Sequence, residues 1–321
     1  LTEFLPDFIQ AVIERQATHP APALPEGPFP IAAQREVGMR FMAALGFDFE
    51  GGRLDVSTHP FSGGTPDDLR ITTRYDEDDF ATGLMGILHE TGHALYERGL
   101  PKDWRLAPVG TARGMDIHES QSLLIEMQAC RSKPFIDYAA PILKDAFGGS
   151  GPLWDTNNLY GIFTQVNCGL IRVDADEATY PLHVILRTDL ERAMLAGDLA
   201  INDLPGAWND GMQRLLGITP ADDKDGCMQD IHWFDGAFGY FPSYTMGALA
   251  AAQFFKSAVK SDSQIPAAIG RGDFKPLYDW LGENIHSQGS YLETPDLIAG
   301  ATGAPLDPEI FIQHLQSRYL G

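Results

Sequence analysis

Apolar residues recur every three to four positions through much of this 321-residue chain, which is the spacing of an amphipathic α-helix. The spacing predicts eight helices: Phe4 to Ile13, Val37 to Leu45, Phe80 to Leu95, Ile117 to Met127, Ala178 to Leu195, Tyr244 to Val259, Phe274 to Leu281 and Pro308 to Leu320. Three strands are predicted. Arg53 to Ser57 alternates polar and apolar residues, and Leu69 to Tyr75 is rich in β-branched residues. The third is Gly169 to Val173. The expected fold class is therefore mainly α, with a small β-sheet.

The charge balance excludes two classes of partner. The chain has 44 acidic and 23 basic side chains, so 23 − 44 gives a formal net charge of −21. A field of this sign repels nucleic acid and anionic lipid. The longest nearly apolar stretch, Tyr244 to Phe255, is shorter than the roughly 20 residues that cross a bilayer. We therefore expect neither nucleic acid nor a membrane as a partner.

The N-terminus and the cysteines bear on location. Leu1 to Pro6 has neither an initiating Met nor the basic-then-apolar order of a signal peptide, so the start is expected to be processed or to lack an upstream part. Cys130, Cys168 and Cys227 are odd in number and widely spaced, which favours neither a disulfide framework nor a thiolate metal site. The expected location is the cytoplasm.

The predicted helix Phe80 to Leu95 contains His89-Glu90-Thr91-Gly92-His93. Residues at i and i+4 project from one helix face, so the imidazoles of His89 and His93 can bind one cation. Glu90 lies about 100° around the helix from His89, where it can reach a metal-bound water without ligating the metal. The pattern indicates metal-assisted hydrolysis with Glu90 as proton carrier. The alternative is that both histidines are ordinary helix residues.

A catalytic zinc needs a third protein ligand, and Glu119 is the best downstream residue for it. Its carboxylate is expected to face inward among apolar neighbours, where ligation of a metal offsets the cost of burial. His118 is the competing ligand, and Asp116 is expected as a helix cap or as a partner of a ligand. An ordinary acidic residue at a helix start is the alternative for Glu119.

Further motifs stand in a fixed order on both sides of the predicted metal helix. They are His59-Pro60-Phe61, Asp68-Leu69-Arg70-Ile71-Thr72, His118-Glu119-Ser120-Gln121, Ile171-Arg172-Val173-Asp174-Ala175-Asp176-Glu177, Thr179-Tyr180 with His183, and His232-Trp233-Phe234-Asp235-Gly236-Ala237-Phe238-Gly239-Tyr240-Phe241-Pro242-Ser243-Tyr244. Together with the His-Glu-x-x-His motif, they make the chain resemble the carboxypeptidase Taq family of metallocarboxypeptidases.

The resemblance implies a helical, gluzincin-like metallopeptidase fold with a deep active-site cleft beside the small sheet, formed by residues 1–321 as a single catalytic domain. It implies zinc, or cobalt in its place, held by His89, His93 and Glu119, with Glu90 as general base. It also implies removal of single C-terminal residues from peptides that have a free C-terminus, and often a homodimer. Family members carry a longer helical region before the His-Pro-Phe motif, so a changed cleft or dimer is expected here.

An exopeptidase of this kind must recognise a free carboxylate, which a guanidinium does best. Arg172 is the preferred clamp, and its alternative is a surface Arg paired with Asp174 or Asp176. Arg70 is the second choice, and pairing with Asp68 is as plausible for it as substrate contact.

The same resemblance assigns groove shape to His59, for which a turn position before Pro60 is the alternative. His232 and Tyr244 are expected as donors to the carbonyl oxygen in the transition state, with Tyr240 in reserve, and core packing is the alternative for the tyrosines. Glycines around them, including Gly247, are expected to act as hinges.

The remaining histidines and the tryptophans receive plainer predictions. His19, His286 and His314 are expected at the surface or as caps, and His183 as a hydrogen-bonding or core residue. The tryptophans are expected in the core.

Two rival functions remain open at this point. One is an oligopeptidase or endopeptidase on the same scaffold, and the other is a catalytically silent protein that binds metal or peptide.

Overall fold

The computed structural model describes all residues from Leu1 to Gly321. Its helices are α1 (Leu5–Ala17), α2 (Ile31–Leu45), α3 (Phe80–Gly99), α4 (Met115–Leu123), α5 (Lys133–Ala146), α6 (Thr156–Phe163), α7 (Tyr180–Ala196), α8 (Leu204–Leu216), α9 (Pro242–Ser261), α10 (Ile265–Ile269), α11 (Lys275–Asn284), α12 (Thr294–Thr302) and α13 (Pro308–Tyr319). Its strands are β1 (Gly52–Val56), β2 (Phe61–Thr65) and β3 (Asp68–Thr73). The prediction of a mainly α fold with a small sheet is confirmed. None of the helices combines the length and the apolar run that a bilayer crossing requires.

The chain forms two compact units, each assembled from separate stretches of sequence. Unit 1 consists of residues 1–21, 164–246 and 312–321, and it contains α1, α7 and α8. Unit 2 consists of residues 22–163 and 247–311, and it contains the sheet, α2 to α6 and α10 to α12. Helices α9 and α13 each contribute residues to both units.

The sheet of unit 2 has the strand order β1-β3-β2, with β1 parallel and β2 antiparallel to the central strand β3. Alternate residues of β3 are buried, as the period of a half-buried strand requires. Leu69 and Ile71 of β3 join a core cluster with Leu54 of β1, Met42 of α2 and Ile87 of α3. The sheet is thereby fixed against the helix that carries the His-Glu-x-x-His motif.

Strand β2 was not among the predicted strands. Its residues Gly63 and Gly64 are typical of turns, yet both pair with β3. Gly64 has φ +115°, and a Cβ atom there would lie 2.1 Å from the carbonyl oxygen of Asp68. Glycine is therefore required where the chain passes so closely from β2 into β3.

Helices α3 and α4 are in close contact within unit 2. Asp79 caps α3 by accepting hydrogen bonds from the backbone N–H groups of Ala81 and Thr82. A Cβ atom at Gly92 would lie 2.6 Å from the carbonyl oxygen of Gln121 and 2.7 Å from Cα of Ser122. The glycine in the middle of the motif therefore lets α4 approach the face that bears both histidines.

In unit 1 the predicted strand Gly169 to Val173 is wrong, because residues Arg172–Asp174 form a short 3₁₀ turn. The side chain of Gln229 takes the hydrogen bonds that a neighbouring strand would otherwise make. Its Oε1 accepts from the N–H of Arg172 at 2.9 Å, and its Nε2 donates to the carbonyl of Leu170 at 3.1 Å.

Candidate active site

Unit 2 brings three predicted metal ligands together. His89 and His93 lie one turn apart on α3, and Glu119 lies on α4. Their ligand atoms lie within 4.8 Å of one another. Nε2 of His89 is 3.9 Å and Nε2 of His93 is 3.5 Å from the same carboxylate oxygen, Oε2 of Glu119. The three side chains thus converge on one point.

The second ring nitrogen of His89, Nδ1, is held by another carboxylate. Nδ1 of His89 lies 2.9 Å from Oε2 of Glu126, whose other oxygen accepts a 2.8 Å bond from Arg131. Glu126 belongs to a π-helical turn, Leu124–Ala129, that continues α4. Because an ionised carboxylate only accepts, His89 carries a proton on Nδ1, and its Nε2 on the side of Glu119 is the nitrogen that would bind a cation.

His118 has a supporting position instead of a ligand position. Its Nδ1 lies 2.7 Å from Nδ1 of His93, and its Nε2 lies 2.9 Å from Glu97. The Nε2 of His93 is therefore also left for a cation. The Nδ1 atoms of His89 and His93 are thus both hydrogen-bonded. The remaining donors, two Nε2 atoms and one carboxylate oxygen, fit a divalent cation that keeps one coordination position open.

The histidine pKa values reflect the crowding of acidic groups. Burial lowers the pKa of His89, but the carboxylates of Glu119 and Glu126 outweigh it and raise this pKa to about 10. Burial and the positive charge of His89 lower the pKa of His93 to about 4, although Glu119 opposes them. The carboxylates of Glu119 and Glu126 thus favour positive charge at this position.

Glu90 is buried next to His89 in the sequence, and it is not part of the group of His89, His93 and Glu119 that could hold a metal ion. Burial raises its pKa, and the carboxylates of Glu119 and Glu126 raise it further against the opposing charge of His89. A carboxylate whose pKa is raised is a stronger proton acceptor than an exposed one.

Gly247 makes room for the carboxylate ligand. A Cβ atom at Gly247 would lie 2.8 Å from Cβ and 2.9 Å from Cγ of Glu119. Because Gly247 lies inside α9, the structure gives it a packing role at the ligand and no hinge position.

A second cluster lies wholly within unit 1 and contains Arg172. The alternative of a surface Arg paired with Asp174 or Asp176 does not hold, since Arg172 is only 6% exposed. Its Nε and Nη2 donate to Oδ1 of Asp230 at 3.0 and 2.7 Å. Oδ2 of Asp230 accepts a 2.5 Å bond from the fully buried Arg187.

The predicted His232 and Tyr244 are hydrogen-bonded to each other in this cluster. His232 Nε2 lies 2.9 Å from the Tyr244 hydroxyl, and the ring of Tyr240 lies 5.5 Å from that of His232. The Arg172 guanidinium carbon lies 4.8 Å from the centre of the Tyr244 ring. Burial and the charge of Arg172 lower the pKa of His232.

The loop that carries His232 is anchored to α7 by Glu191. One carboxylate oxygen of Glu191 accepts from Nε1 of Trp233 at 2.8 Å, and the other accepts from the N–H of Gly239 at 2.6 Å. Both ends of this segment are therefore fixed by one buried side chain.

His59 and Arg70 lie at exposed positions of unit 2. His59 follows β1, and its carbonyl accepts a hydrogen bond from the hydroxyl of Ser57. Arg70 donates to both oxygens of Asp68 at 2.6 and 2.8 Å, which was the structural alternative for it.

Several plain predictions need correction. His286 is 1% exposed and bonded to Gln121 at 3.0 Å, so the surface prediction is wrong for it. His314 bonds to the buried Glu177 at 2.8 Å. His183 is fully buried, as a core residue should be. Trp104 is 39% exposed, so it is no core residue.

The sequence predictions missed Glu126, Glu97, Asp230, Arg187 and Glu191. A signal exists for two of them: Glu126 stands two helical turns after Glu119, and Asp230 stands two residues before His232. The others bond to partners that are distant in sequence.

Two histidines on one helix, a glutamate from the next helix and a buried glutamate beside them define the metallopeptidase class, here on a mainly helical fold. The family model described as "Carboxypeptidase Taq (M32) metallopeptidase" matches residues 1–319. The chain belongs to this family.

Relatives of known structure and name agree with this assignment. "Thermostable carboxypeptidase 1" of Thermus thermophilus is 42% identical over 293 residues, which is 91% of this chain and 57% of the relative. The solved structure of Trypanosoma cruzi metallocarboxypeptidase 1 superposes with a TM-score of 0.97 at 42% identity, covering 99% of this chain and 67% of that one. An M32 carboxypeptidase from Deinococcus radiodurans gives 0.89 at 35% identity, covering 99% and 65%. This chain thus spans a little over half the length of the curated relatives it matches.

Proposed function

We propose that this chain is a metal-dependent carboxypeptidase that hydrolyses the last peptide bond of a peptide and releases one amino acid. The observation that carries the proposal is the convergence of His89, His93 and Glu119 within 4.8 Å, with the buried Glu90 one residue from the first ligand. Family membership supports the same activity. An oligopeptidase or a silent binding protein is not favoured by the family or by the relatives' names.

His89, His93 and Glu119 would hold the cation, for which we propose zinc, or cobalt in its place. Two imidazoles and one carboxylate are a ligand set that catalytic zinc uses. When bound, such a cation supplies Lewis acidity toward water and toward the scissile carbonyl. Glu90 is proposed to accept the proton of the attacking water and to deliver it to the leaving amine.

Arg172 is proposed to bind the α-carboxylate of the substrate. Three of its five N–H groups have acceptors. Two donate to Oδ1 of Asp230, and one donates to the Tyr180 hydroxyl at 3.4 Å. Two N–H groups therefore remain for a ligand. The pair of Arg172 and Arg187 against the single carboxylate of Asp230 has a net charge of +1, which suits an anionic group.

His232 and Tyr244 are proposed to stabilise the developing charge on the carbonyl oxygen. Since the pKa of His232 is lowered, the imidazole is neutral at pH 7 and can share a proton with the Tyr244 hydroxyl. A neutral donor held in place in this way costs little reorganisation during the reaction. Tyr240, Arg70 and His59 are proposed as further substrate contacts.

The broader setting is also part of this proposal. Residues 1–321 are proposed to work as one catalytic domain and to act as a homodimer on peptides with a free C-terminus. Free Cys130, Cys168 and Cys227 support the proposed cytoplasmic location.

The test compares a peptide that has a free C-terminus with its C-terminal amide, and identifies the products by mass spectrometry. We expect one residue to be released from the acid only, and the reaction to stop with a chelator and resume with zinc. Equal cleavage of acid and amide would replace the carboxypeptidase proposal with an endopeptidase.

Glu90→Gln provides the matched variant for the chemical step. The amide keeps the size of the side chain and removes its basicity, so kcat should fall by about 10²- to 10⁴-fold while metal content stays the same. Absence of metal-dependent hydrolysis in the unaltered protein would mean that the chain is a silent binding protein.

A further inference from the structure

Asp230 binds two arginines through different oxygens. Oδ1 accepts from Nε and Nη2 of Arg172, and Oδ2 accepts from Nε of Arg187. The side chain of Arg187 is 0% exposed, and those of Arg172 and Asp230 are 7% and 11% exposed. The carboxylate therefore fixes one edge of the Arg172 guanidinium in a largely dry environment.

Each arginine has protein acceptors for three of its five N–H groups, and the two differ in their burial and in what surrounds them. Besides Asp230, Arg187 donates to the carbonyl of His183 at 2.9 Å and to Gln229 at 2.7 Å, and its guanidinium carbon lies 4.5 Å from the Trp208 ring centre. Arg172 keeps two N–H groups without a protein acceptor. The Arg187 side chain is 0% exposed and lies against the Trp208 ring, so the protein encloses it, whereas the 7% exposed Arg172 side chain is the one that a ligand can reach.

The charges point to the same division of roles. Asp230 alone would neutralise Arg172 and weaken its attraction for an anion. Arg187 offsets the charge of Asp230, so the set of three keeps one positive charge. His183 adds no positive charge, because burial and the charge of Arg187 lower its pKa to about 3. His232 adds none either, since its pKa is lowered and the imidazole is neutral at pH 7.

We propose that Asp230 is a positioning residue for recognition of the substrate's α-carboxylate, and that Arg187 is its charge-balancing partner. Asp230 holds the Nε–Nη2 edge of Arg172, which turns the remaining N–H groups toward the ligand. Arg187 leaves the positive charge of Arg172 available to that ligand. This inference rests on the proposed function, in which Arg172 is the carboxylate clamp.

The first test measures binding of N-acetyl-tetraalanine and of its C-terminal amide by calorimetry to zinc-loaded protein. Glu90→Gln is present throughout so that the peptide is not consumed. Asp230→Asn is expected to reduce the preference for acid over amide by at least about tenfold, since a charge-assisted clamp loses its orientation. Asp174→Asn is the matched control, because it removes the same charge at an exposed position two residues from Arg172, and it should keep the preference.

A second variant separates orientation from charge and from folding. Asp230→Asn combined with Arg187→Met keeps the net charge of +1, which then lies on Arg172 alone. Circular dichroism and thermal unfolding establish that it folds. The acid preference is expected to be lost in this variant too, while zinc content is retained.

The outcomes distinguish this inference from the function on which it rests. If the Glu90→Gln reference binds acid and amide equally, the clamp role of Arg172 and the carboxypeptidase proposal both fail. If that reference prefers the acid and the double variant keeps the same preference, only the positioning role of Asp230 is overturned. A double variant that cannot fold would also overturn it, since the three charges would then serve the fold.

Discussion

Nδ1 of His118 lies 2.7 Å from Nδ1 of His93, and Nε2 of His118 lies 2.9 Å from the carboxylate of Glu97. A carboxylate only accepts, so His118 donates from Nε2 to Glu97, and the tautomer with this proton presents a lone pair on Nδ1. His93 must then donate from Nδ1, which leaves its Nε2 for a cation. The chain from Glu97 to His93 therefore selects the ligand tautomer, as Glu126 does for His89.

Replacing His118 should weaken metal binding even though it is no ligand. In His118→Phe the ring of His93 loses its acceptor, and zinc affinity is expected to fall by about 10- to 100-fold. Competition with a chromophoric chelator measures the affinity. His19→Phe, at an exposed position, is the control and should leave it unchanged. Equal affinities of the two variants would show that the hydrogen bond does not set the tautomer.

A methyl group at position 247 should act on the same centre through Glu119. In Gly247→Ala the new Cβ meets Cβ and Cγ of Glu119 at 2.8 and 2.9 Å, so the ligand or α9 must move. We expect a stability loss of about 1–3 kcal/mol and weaker zinc binding. Urea unfolding and chelator competition measure the two effects.

Gly282→Ala is the control for that substitution, because a Cβ atom there meets nothing within 4 Å and the residue also lies inside a helix, α11. It should be neutral or stabilise by up to about 1 kcal/mol through helix propensity. A Gly247→Ala protein that behaves like this control would mean that the contact with Glu119 relaxes without cost.

How much of the fold could be predicted depends on how far apolar periodicity runs without interruption. Helices α3 and α9 are 20 residues long and were found from spacing alone. Apolar spacing does not predict α5, which carries Pro141 inside, nor α8 and α12, which have Pro in their first turns and contain glycines. Proline fits the first turn of a helix, but it resembles loop chemistry when only the sequence is read.

Residues of the candidate site that are close in sequence could be predicted together, whereas contacts between distant residues could not. His89, Glu90 and His93 share one helix, so their spacing could be interpreted directly. The bond between Arg172 and Asp230 joins residues 58 positions apart. Sequence proximity offers Asp174 or Asp176 as a partner for Arg172, and only the fold brings in Asp230.

Stability should depend on pH through the buried His286. Burial lowers the pKa of His286 to about 3, below the value of about 6.5 in an unfolded chain. Between these values the unfolded chain binds a proton that the folded protein excludes. The contribution of neutral His286 to the free energy of unfolding is therefore complete above pH 6.5. It is lost as pH falls toward 3, by up to about 1.4 kcal/mol per pH unit.

His286→Leu should flatten this dependence. The free energy of unfolding, measured in urea between pH 4 and pH 7, should fall less steeply with acid by about one proton. His19→Leu changes an exposed histidine and should retain the slope of the unaltered protein. Parallel curves for His286→Leu and the unaltered protein would show that the buried imidazole is protonated in the folded state.

Glu191 should stabilise unit 1 by holding the loop that bears His232. Glu191→Ala leaves the Trp233 indole N–H and the Gly239 amide without the acceptors that lie at 2.8 and 2.6 Å. Two hydrogen bonds to a carboxylate are lost at a position that is 4% exposed, so we expect a stability loss of about 2–4 kcal/mol in urea unfolding. Asp189→Ala removes an exposed carboxylate from the same helix and should change stability by less than about 0.5 kcal/mol. Because Gln retains one acceptor oxygen, Glu191→Gln should fall between the two, and equal losses for Ala and Gln would mean that packing, and not hydrogen bonding, fixes the loop.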